Sequence, residues 1–305
     1  MSDADIIVVG GGLAGLAAAR DAARLGRRCV AFTGPQPGGH LLSIDSVQDV
    51  PDHPDGVPGY DLCPLLLEAA MDAGVECVAE EALDLTGAGD GWSVRGASRT
   101  VRAPCVILAP GSVLRPLGVP GEAEFAGRGV SQCASCDGPL LRGRAVAVVG
   151  GGDAACQEAL TLAETASMVH MLVRGANLRA RGQWRERIAA QANIRLHFGA
   201  RVATIVGTQA VEQVRLEGGD TLAVDGVFIF VGLAPNTAFA RAVLPLDAAA
   251  RMVVDSGLHT PRRGILAAGD ARSGSSGQAA EALADGGIAA QSAHRYLGQR
   301  DWPAS

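Results

Sequence analysis

The sequence predicts an α/β fold made of two doubly wound, three-layer domains. Two observations carry that prediction: one strand–glycine–helix unit occurs twice, and its strands read as unbroken apolar runs. The first copy is Asp5-IIVVGGGLAGLAAARDAARLGRRCVAF and the second is Arg144-AVAVVGGGDAACQEALTLAETASMVHMLV. Gly10 and Gly150 open the two glycine triplets, 140 positions apart. A parallel strand covered on both faces has no polar side, and these runs have none. A chain of 305 residues is long enough for two cores of ordinary size.

The glycines have the same physical reason in both copies. The first allows the tight turn out of the strand, the second lets backbone approach a pyrophosphate, and the third small residue lets helix pack close to strand. The amides at the helix start then face the phosphates, where the helix dipole favours negative charge. Gly10, Gly12 and Gly15 fill these places in the first copy; Gly150, Gly152 and Ala155 fill them in the second. One such match could be a bare strand-to-helix turn, but two in the same context point to two nucleotides.

The end of the second strand in each copy reports on which nucleotide. An acid there binds the ribose hydroxyls of NAD or FAD. The first copy ends in Phe32-Thr33-Gly34, without the acid, and the second ends in Leu172-Val173-Arg174, with Arg179 five residues on. Guanidinium groups suit a 2′-phosphate through bidentate, charge-assisted bonds, so the second site leans to NADPH. The plain alternative is that both arginines are solvated surface charges. Near the C-terminus a third strand, Ile265 to Ala268, runs into Gly269-Asp270, a Ser/Gly loop and a helix opened by Gln278-Ala279-Ala280. An acid at that strand end can bind a ribityl hydroxyl, and equally can cap a turn.

Between the copies lies Cys133-Ala-Ser-Cys136, followed by Asp137. A zinc half-site, a structural staple and a working dithiol all use this spacing. Zinc needs four ligands, yet there is no second CxxC, and the six histidines show no H-x₃₋₅-H pairing. A staple between residues three apart closes too small a loop to constrain the unfolded chain much. A CxxC near a helix start has one thiol of lowered pKa, and disulfide exchange needs that thiolate. Asp137 adds a proton donor and acceptor beside it. The dithiol is the expected reading.

Composition bounds the rest. Hydrophobic residues make up 48% of the chain, and no apolar run reaches the roughly 18 residues of a membrane span. A soluble protein with no membrane partner is expected. The acidic start, Met-Ser-Asp-Ala-Asp, lacks the basic region of a secretory signal, so a cytoplasmic location is expected. Net charge is -6 and all 26 basic residues are scattered arginines, which leaves no basic stripe for nucleic acid. Seven cysteines is an odd number; Cys29, Cys63, Cys77, Cys105 and Cys156 read as small buried hydrophobes in a reducing compartment.

The order of motifs, GGGLAG, GGH, CASCDG, GGGDAA, FIFVGLAPNT and ILAAGD…GQA…ADGGIAA, resembles the low-molecular-weight, bacterial-type thioredoxin reductases across essentially the whole chain. The resemblance implies a homodimer of two Rossmann-like domains per chain. A FAD-binding domain, residues 1–113 and 246–305, would be split by an inserted NADPH-binding domain, residues 114–245, that carries the CxxC and turns against it. Prolines Pro110, Pro116 and Pro245 suit the two crossings. FAD would be held by Gly10, Gly12, Gly15, Thr33, Gly39 and His40, with Asp49, Gly111, Asp270, Gln278 and Ala279. NADPH would be held by Gly150, Gly152, Asp153, Ala155, Arg174 and Arg179. The implied reaction passes hydride from NADPH to FAD and then opens the Cys133–Cys136 disulfide. Cys136 would be the flavin-side sulfur, Cys133 the attacker of a disulfide in a thioredoxin-like protein or small molecule, and Asp137 the proton donor to the leaving thiolate.

The chain departs from that pattern in several places. Where the family reads His-Arg-Arg, this chain reads Val173-Arg174-Gly175, with one arginine fewer. Two aromatics that dock thioredoxin are Pro139 and Leu140 here. At the flavin, Gln is His40, Asn-aromatic-Pro is Asp49-Val50-Pro51, and Arg is Gly277. His40 and Asp49 could form an acid–base pair or simply cap loops. These departures keep two other enzymes open: a FAD-dependent dithiol oxidase that passes electrons to oxygen without NADPH, and a reductase fed by ferredoxin or another protein. A non-catalytic scaffold of the same fold is a third reading, against which the intact CxxC-Asp argues.

Overall fold

β-branched apolar runs become parallel strands in this protein, and the alanine-rich stretches behind them become the helices that cover those strands. The computed structural model describes residues 2–44, 46–47, 50–51, 53–299 and 301–303. Asp49, expected at the flavin, lies outside the described residues.

The chain opens with β1 (Ile6–Val9), α1 (Leu13–Arg24) and β2 (Cys29–Phe32), the two strands buried at every position. A short turn of 3-10 helix at Gly39–Ser43 leads to α2 (Gly59–Asp72) and β3 (Glu76–Val78). An antiparallel meander follows, β4 (Asp84–Ala88), β5 (Gly91–Arg95) and β6 (Thr100–Ala103), and then β7 (Cys105–Leu108). The crossing strand β8 (Ser112–Leu114) ends the first pass.

The second unit repeats the plan. β9 (Val130–Ser131) leads to the four-residue helix α3 (Ala134–Asp137), then β10 (Ala145–Val149), α4 (Asp153–Ala163) and β11 (Met168–Val173). α5 (Gly182–Ala189) and β12 (Ile194–Phe198) precede a second meander of β13 (Val202–Gly207), β14 (Val211–Leu216) and β15 (Thr221–Ala223), after which comes β16 (Gly226–Ile229). β17 (Leu233–Pro235) pairs with β8 where the chain crosses back. β18 (Ile265–Ala267) and α6 (Ala279–Gln299) then complete the first unit.

Each unit is a five-stranded parallel sheet, in the orders β18-β7-β1-β2-β3 and β9-β16-β10-β11-β12, with its meander on one face. Cα register is unbroken across the sheet centres, with Ile6 opposite both Cys29 and Cys105, and Ala147 opposite both His170 and Val227. Ile6, Val8 and Ile107 face α1 and α6 in one core layer; Ile7, Val30 and Leu108 face the meander in another. Fully burying each such side chain contributes roughly 1.5–3 kcal/mol. α1 can lie close to the sheet because its buried face is mostly alanine and glycine.

The chain divides into residues 1–113 with 234–305, and residues 114–233. Residues 234–245, expected in the inserted domain, therefore belong to the outer unit. Ala240 and Leu244 explain this: both are buried in the same cluster as Val9, Phe32 and Ile265. β18 matches the expected Ile265–Ala268 strand to within a residue, and α6 starts one residue after the expected Gln278.

Candidate active site

Both glycine turns have the geometry a dinucleotide needs. Gly10 has φ +122, and a Cβ there would lie 2.0 Å from the Ala109 carbonyl oxygen. A Cβ on Gly15 would meet the Gly10 oxygen at 2.0 Å, which is how the third glycine admits α1 to the loop. Gly12 is different: it caps α1 with no side-chain hydrogen bond, and a Cβ there would project into open space. That space lies over backbone N–H groups that α1 leaves unpaired, where a phosphate fits. The second turn matches. Gly150 has φ +149 and would clash with the Phe230 oxygen at 2.3 Å, Ala155 is wholly buried beneath it, and Gly152 caps α4 over open space.

The first unit gathers its expected flavin residues at the carboxyl ends of its strands, where open α/β sheets bind ligands. Gly38 donates its N–H to Gly11 oxygen at 2.7 Å, which docks the Gly38-Gly39-His40 loop against the glycine turn. Gly39 has φ +55 and Gly111 φ +65, and both face open space. Ala279 joins Leu13 and Leu41 in one apolar cluster, while Gln278 is exposed just before α6. Thr33 is buried with its hydroxyl turned to the Gly34 and Val78 oxygens, so its side chain is spent on the protein. The acid missing at the end of β2 has a spatial neighbour instead, since Glu81 Cγ lies 4.0 Å from the Cβ position of Gly34.

His40 and Asp270 interact electrostatically in this cleft. Burial pulls the His40 imidazole below its ordinary value, with Asp270 opposing. Burial lifts the Asp270 carboxyl above its ordinary value, opposed by His40, by a Ser112 hydrogen bond and by Arg251, and reinforced by Glu281. The loop that presents Asp270 is braced from below. Asp285, 3% exposed on α6, accepts the Gly269 N–H at 2.9 Å and a fork from Arg272 at 2.6 and 3.0 Å, and Arg272 also reaches Glu281 at 2.8 Å.

In the second unit, Arg174 follows β11 and Arg179 donates its backbone N–H to Gly151 oxygen at 2.7 Å, so both exposed arginines stand beside the glycine turn. Asp153 is tied to Arg181, whose backbone N–H it accepts at 2.7 Å and whose guanidinium it pairs. Its carboxylate therefore holds the arginine loop against α4.

Cys133 and Cys136 are joined as a disulfide with Cα atoms 5.3 Å apart. Cys133 is the N-cap of α3, and its Sγ accepts the Cys136 N–H at 3.2 Å. Cys136 is exposed, Cys133 and Asp137 are half-buried, and the neighbouring Leu140 is 81% exposed. Of the other cysteines, Cys77 is half-buried and the remaining four are buried. Burial pushes the Cys29 thiol up to about 12 and those of Cys63 and Cys156 to about 11, so these thiols stay protonated and inert.

Sequence reasoning missed the Arg272–Asp285–Glu281 brace, the Asp153–Arg181 pair and Glu158, a buried carboxylate on α4 that accepts the Ala134 N–H at 2.9 Å. It also missed the His170 Nδ1 to His197 Nε2 contact of 3.0 Å, made between adjacent strands by residues 27 apart. The four-residue spacing of Glu281 and Asp285, on one helix face behind Arg272, was a readable signal for the brace. Glu158 carried none, because a helical glutamate is ordinarily solvated.

A family model described as pyridine nucleotide-disulphide oxidoreductase matches residues 4–286. The thioredoxin reductase of Treponema pallidum is 36% identical over 304 residues, covering 97% of this chain and 98% of that protein. Crystal structures of the thioredoxin reductases of Lactococcus lactis and T. acidophilum match with TM-scores of 0.93 and 0.90 at 29% and 31% identity. They cover 97% and 96% of this chain, and 100% and 98% of theirs. The open glycine turns fit the two nucleotides such enzymes use, and the dithiol fits their chemistry. The chain belongs to the pyridine nucleotide-disulphide oxidoreductase family, as an FAD- and NADPH-dependent disulfide oxidoreductase of the low-molecular-weight thioredoxin reductase type.

Proposed function

We propose that the chain reduces the disulfide of a thioredoxin-like protein, as a cytoplasmic homodimer. Residues 1–113 and 234–305 hold FAD, through the Gly10–Gly15 turn, the Gly39-His40 loop and Asp270. Residues 114–233 hold NADPH, through the Gly150–Ala155 turn, Arg174 and Arg179. The observation that carries the reading is the Cys133–Cys136 disulfide at a helix start, in a unit whose glycine turn has room for a phosphate. No helix among the described residues is long and apolar enough to cross a membrane.

When bound, FAD and NADPH supply the two electrons that open this disulfide. Cys133 Sγ accepts the Cys136 amide, and this donor makes Cys133 the better stabilised thiolate. It attacks one sulfur of the substrate disulfide, forms a mixed disulfide and expels a substrate thiolate, which takes a proton from Asp137. Asp137 regains a proton from the Cys136 thiol. The Cys136 thiolate then attacks Cys133 Sγ, which releases the second substrate thiolate to be protonated by solvent and restores the Cys133–Cys136 bond. The exposed Leu140 beside the dithiol supplies an apolar landing for the partner. The relatives compared are reductases by name, which supports this direction over the oxidase and ferredoxin-fed readings.

Thioredoxin-coupled NADPH oxidation tests the proposal. Cys133→Ser is expected to lower turnover by at least about 10³-fold, with flavin content unchanged. Full turnover in that variant would contradict the mechanism.

A further inference from the structure

α4 carries two features on one rigid rod. Its N-terminus begins at Gly152 and Asp153, beside the glycine turn. Six residues further, about 9 Å at 1.5 Å per residue, Glu158 meets the dithiol helix. Glu158 is 7% exposed, and its Oε2 accepts the Ala134 N–H at 2.9 Å. Ala134 is buried in the same cluster as Ala155, Ala159 and Leu162 of α4. One turn beyond Glu158, Leu162 closes on Gly138, where an added Cβ would lie 3.0 Å from Leu162 Cδ2. α3 thus rests on a stripe of α4 that is apolar except for Glu158.

The amide that Glu158 takes matters to the thiols. N–H groups at a helix start stabilise a neighbouring thiolate. Cys133 Sγ receives the Cys136 N–H, whereas the Ala134 N–H is directed to Glu158. A carboxylate bonded to the amide of the residue after Cys133 adds repulsion to that withheld donor, and both disfavour the thiolate. The other titratable groups on the elements packed against α4 are Asp137 on α3, His170 on β11, and Arg185, Glu186 and Arg187 on α5; α4 itself carries Asp153, paired with Arg181, and the buried Cys156, while β10 and the turn Gly138–Leu141 have none.

We infer that Glu158 is a positioning residue for the dithiol: it seats α3 on α4, and it holds Cys133 less acidic and the dithiol more strongly reducing than the helix start alone would make them. A less stable thiolate destabilises the reduced form relative to the disulfide, which suits a centre that hands electrons on. The inference rests on the dithiol being the working centre, but thiol titration is independent of turnover, so either can fail without the other.

The test is the rate at which Cys133 is alkylated in the reduced, FAD-loaded protein across a pH series, resolved by mass spectrometry. Glu158→Gln keeps the size and the accepting oxygen but loses the charge; Glu158→Asp keeps the charge. The midpoint for Glu158→Gln is expected about one pH unit below wild type, with Glu158→Asp close to wild type. A Glu158→Gln midpoint equal to wild type, or both variants shifting alike, would overturn the inference. Should the variants fail to load flavin, amide exchange in the wild-type protein decides: protection at Ala134 is expected, and exchange as fast as an open loop overturns the seating.

Discussion

The two units have one architecture, and they differ most in the loop that follows the edge strand at the same end of each sheet. In the first unit that strand is β18, and it leads to Asp270; in the second it is β9, and it leads to the Cys133–Cys136 disulfide. Both loops are held by a buried carboxylate that accepts a backbone N–H at 2.9 Å, from Gly269 to Asp285 and from Ala134 to Glu158. Asp285 is further locked by a bidentate arginine and sits on a helix of 21 residues. The dithiol helix has four residues. The loop bearing Asp270 is thus tied to a long helix by a carboxylate–arginine fork, whereas the loop bearing the disulfide opens a helix of a single turn.

The largest effect comes from breaking the brace. Asp285→Asn leaves Arg272 without its main partner in a buried site, which costs about 3 kcal/mol. Thermal melting is expected to fall by several degrees with loss of flavin, and a wild-type melt with full flavin would show that the two loops are held alike. Arg179→Gln acts only on the second unit. Loss of a charge-assisted phosphate contact is expected to raise the KM for NADPH roughly 10-fold while leaving that for NADH unchanged. Equal loss for both nucleotides would place Arg179 outside the 2′-phosphate site.

The smallest effect is a pH dependence confined to the second unit. The His170 imidazole is pulled below its ordinary value of 6.5 by burial, then by His197 and Arg195, and His197 by burial and Arg195. The unfolded chain therefore takes up these protons at higher pH than the folded one. Stability is full above about pH 6.5 and declines as pH falls below it. Melting followed from neutral to about pH 5 should show a shallower decline in His197→Asn than in wild type; identical slopes would dismiss the pair as a source.

Local backbone demands were legible in the sequence. Gly10, Gly15 and Gly150 stand where any Cβ would strike a carbonyl oxygen, and a repeat of such positions identifies the two nucleotide turns without any tertiary knowledge. Cys133, Cys136 and Asp137 were legible as a dithiol because no second CxxC or histidine pair accompanies them and two nucleotide turns flank them. Long-range partnerships were not. The pairing of Asp153 with Arg181 and the interaction of His40 with Asp270 join residues far apart in the chain. The return crossing was placed too late because Ala240 and Leu244 are apolar residues that either core could have buried.

The proposed function requires that electrons from NADPH reach the Cys133–Cys136 disulfide. The direct measurement is to add one equivalent of NADPH to the flavin-loaded protein without oxygen, quench with an alkylating agent, and locate the label by mass spectrometry. Label is expected on both Cys133 and Cys136 and on none of the buried cysteines. An unlabelled disulfide after NADPH, in a protein whose flavin is bleached by a small dithiol, would contradict it and leave an oxidase in its place.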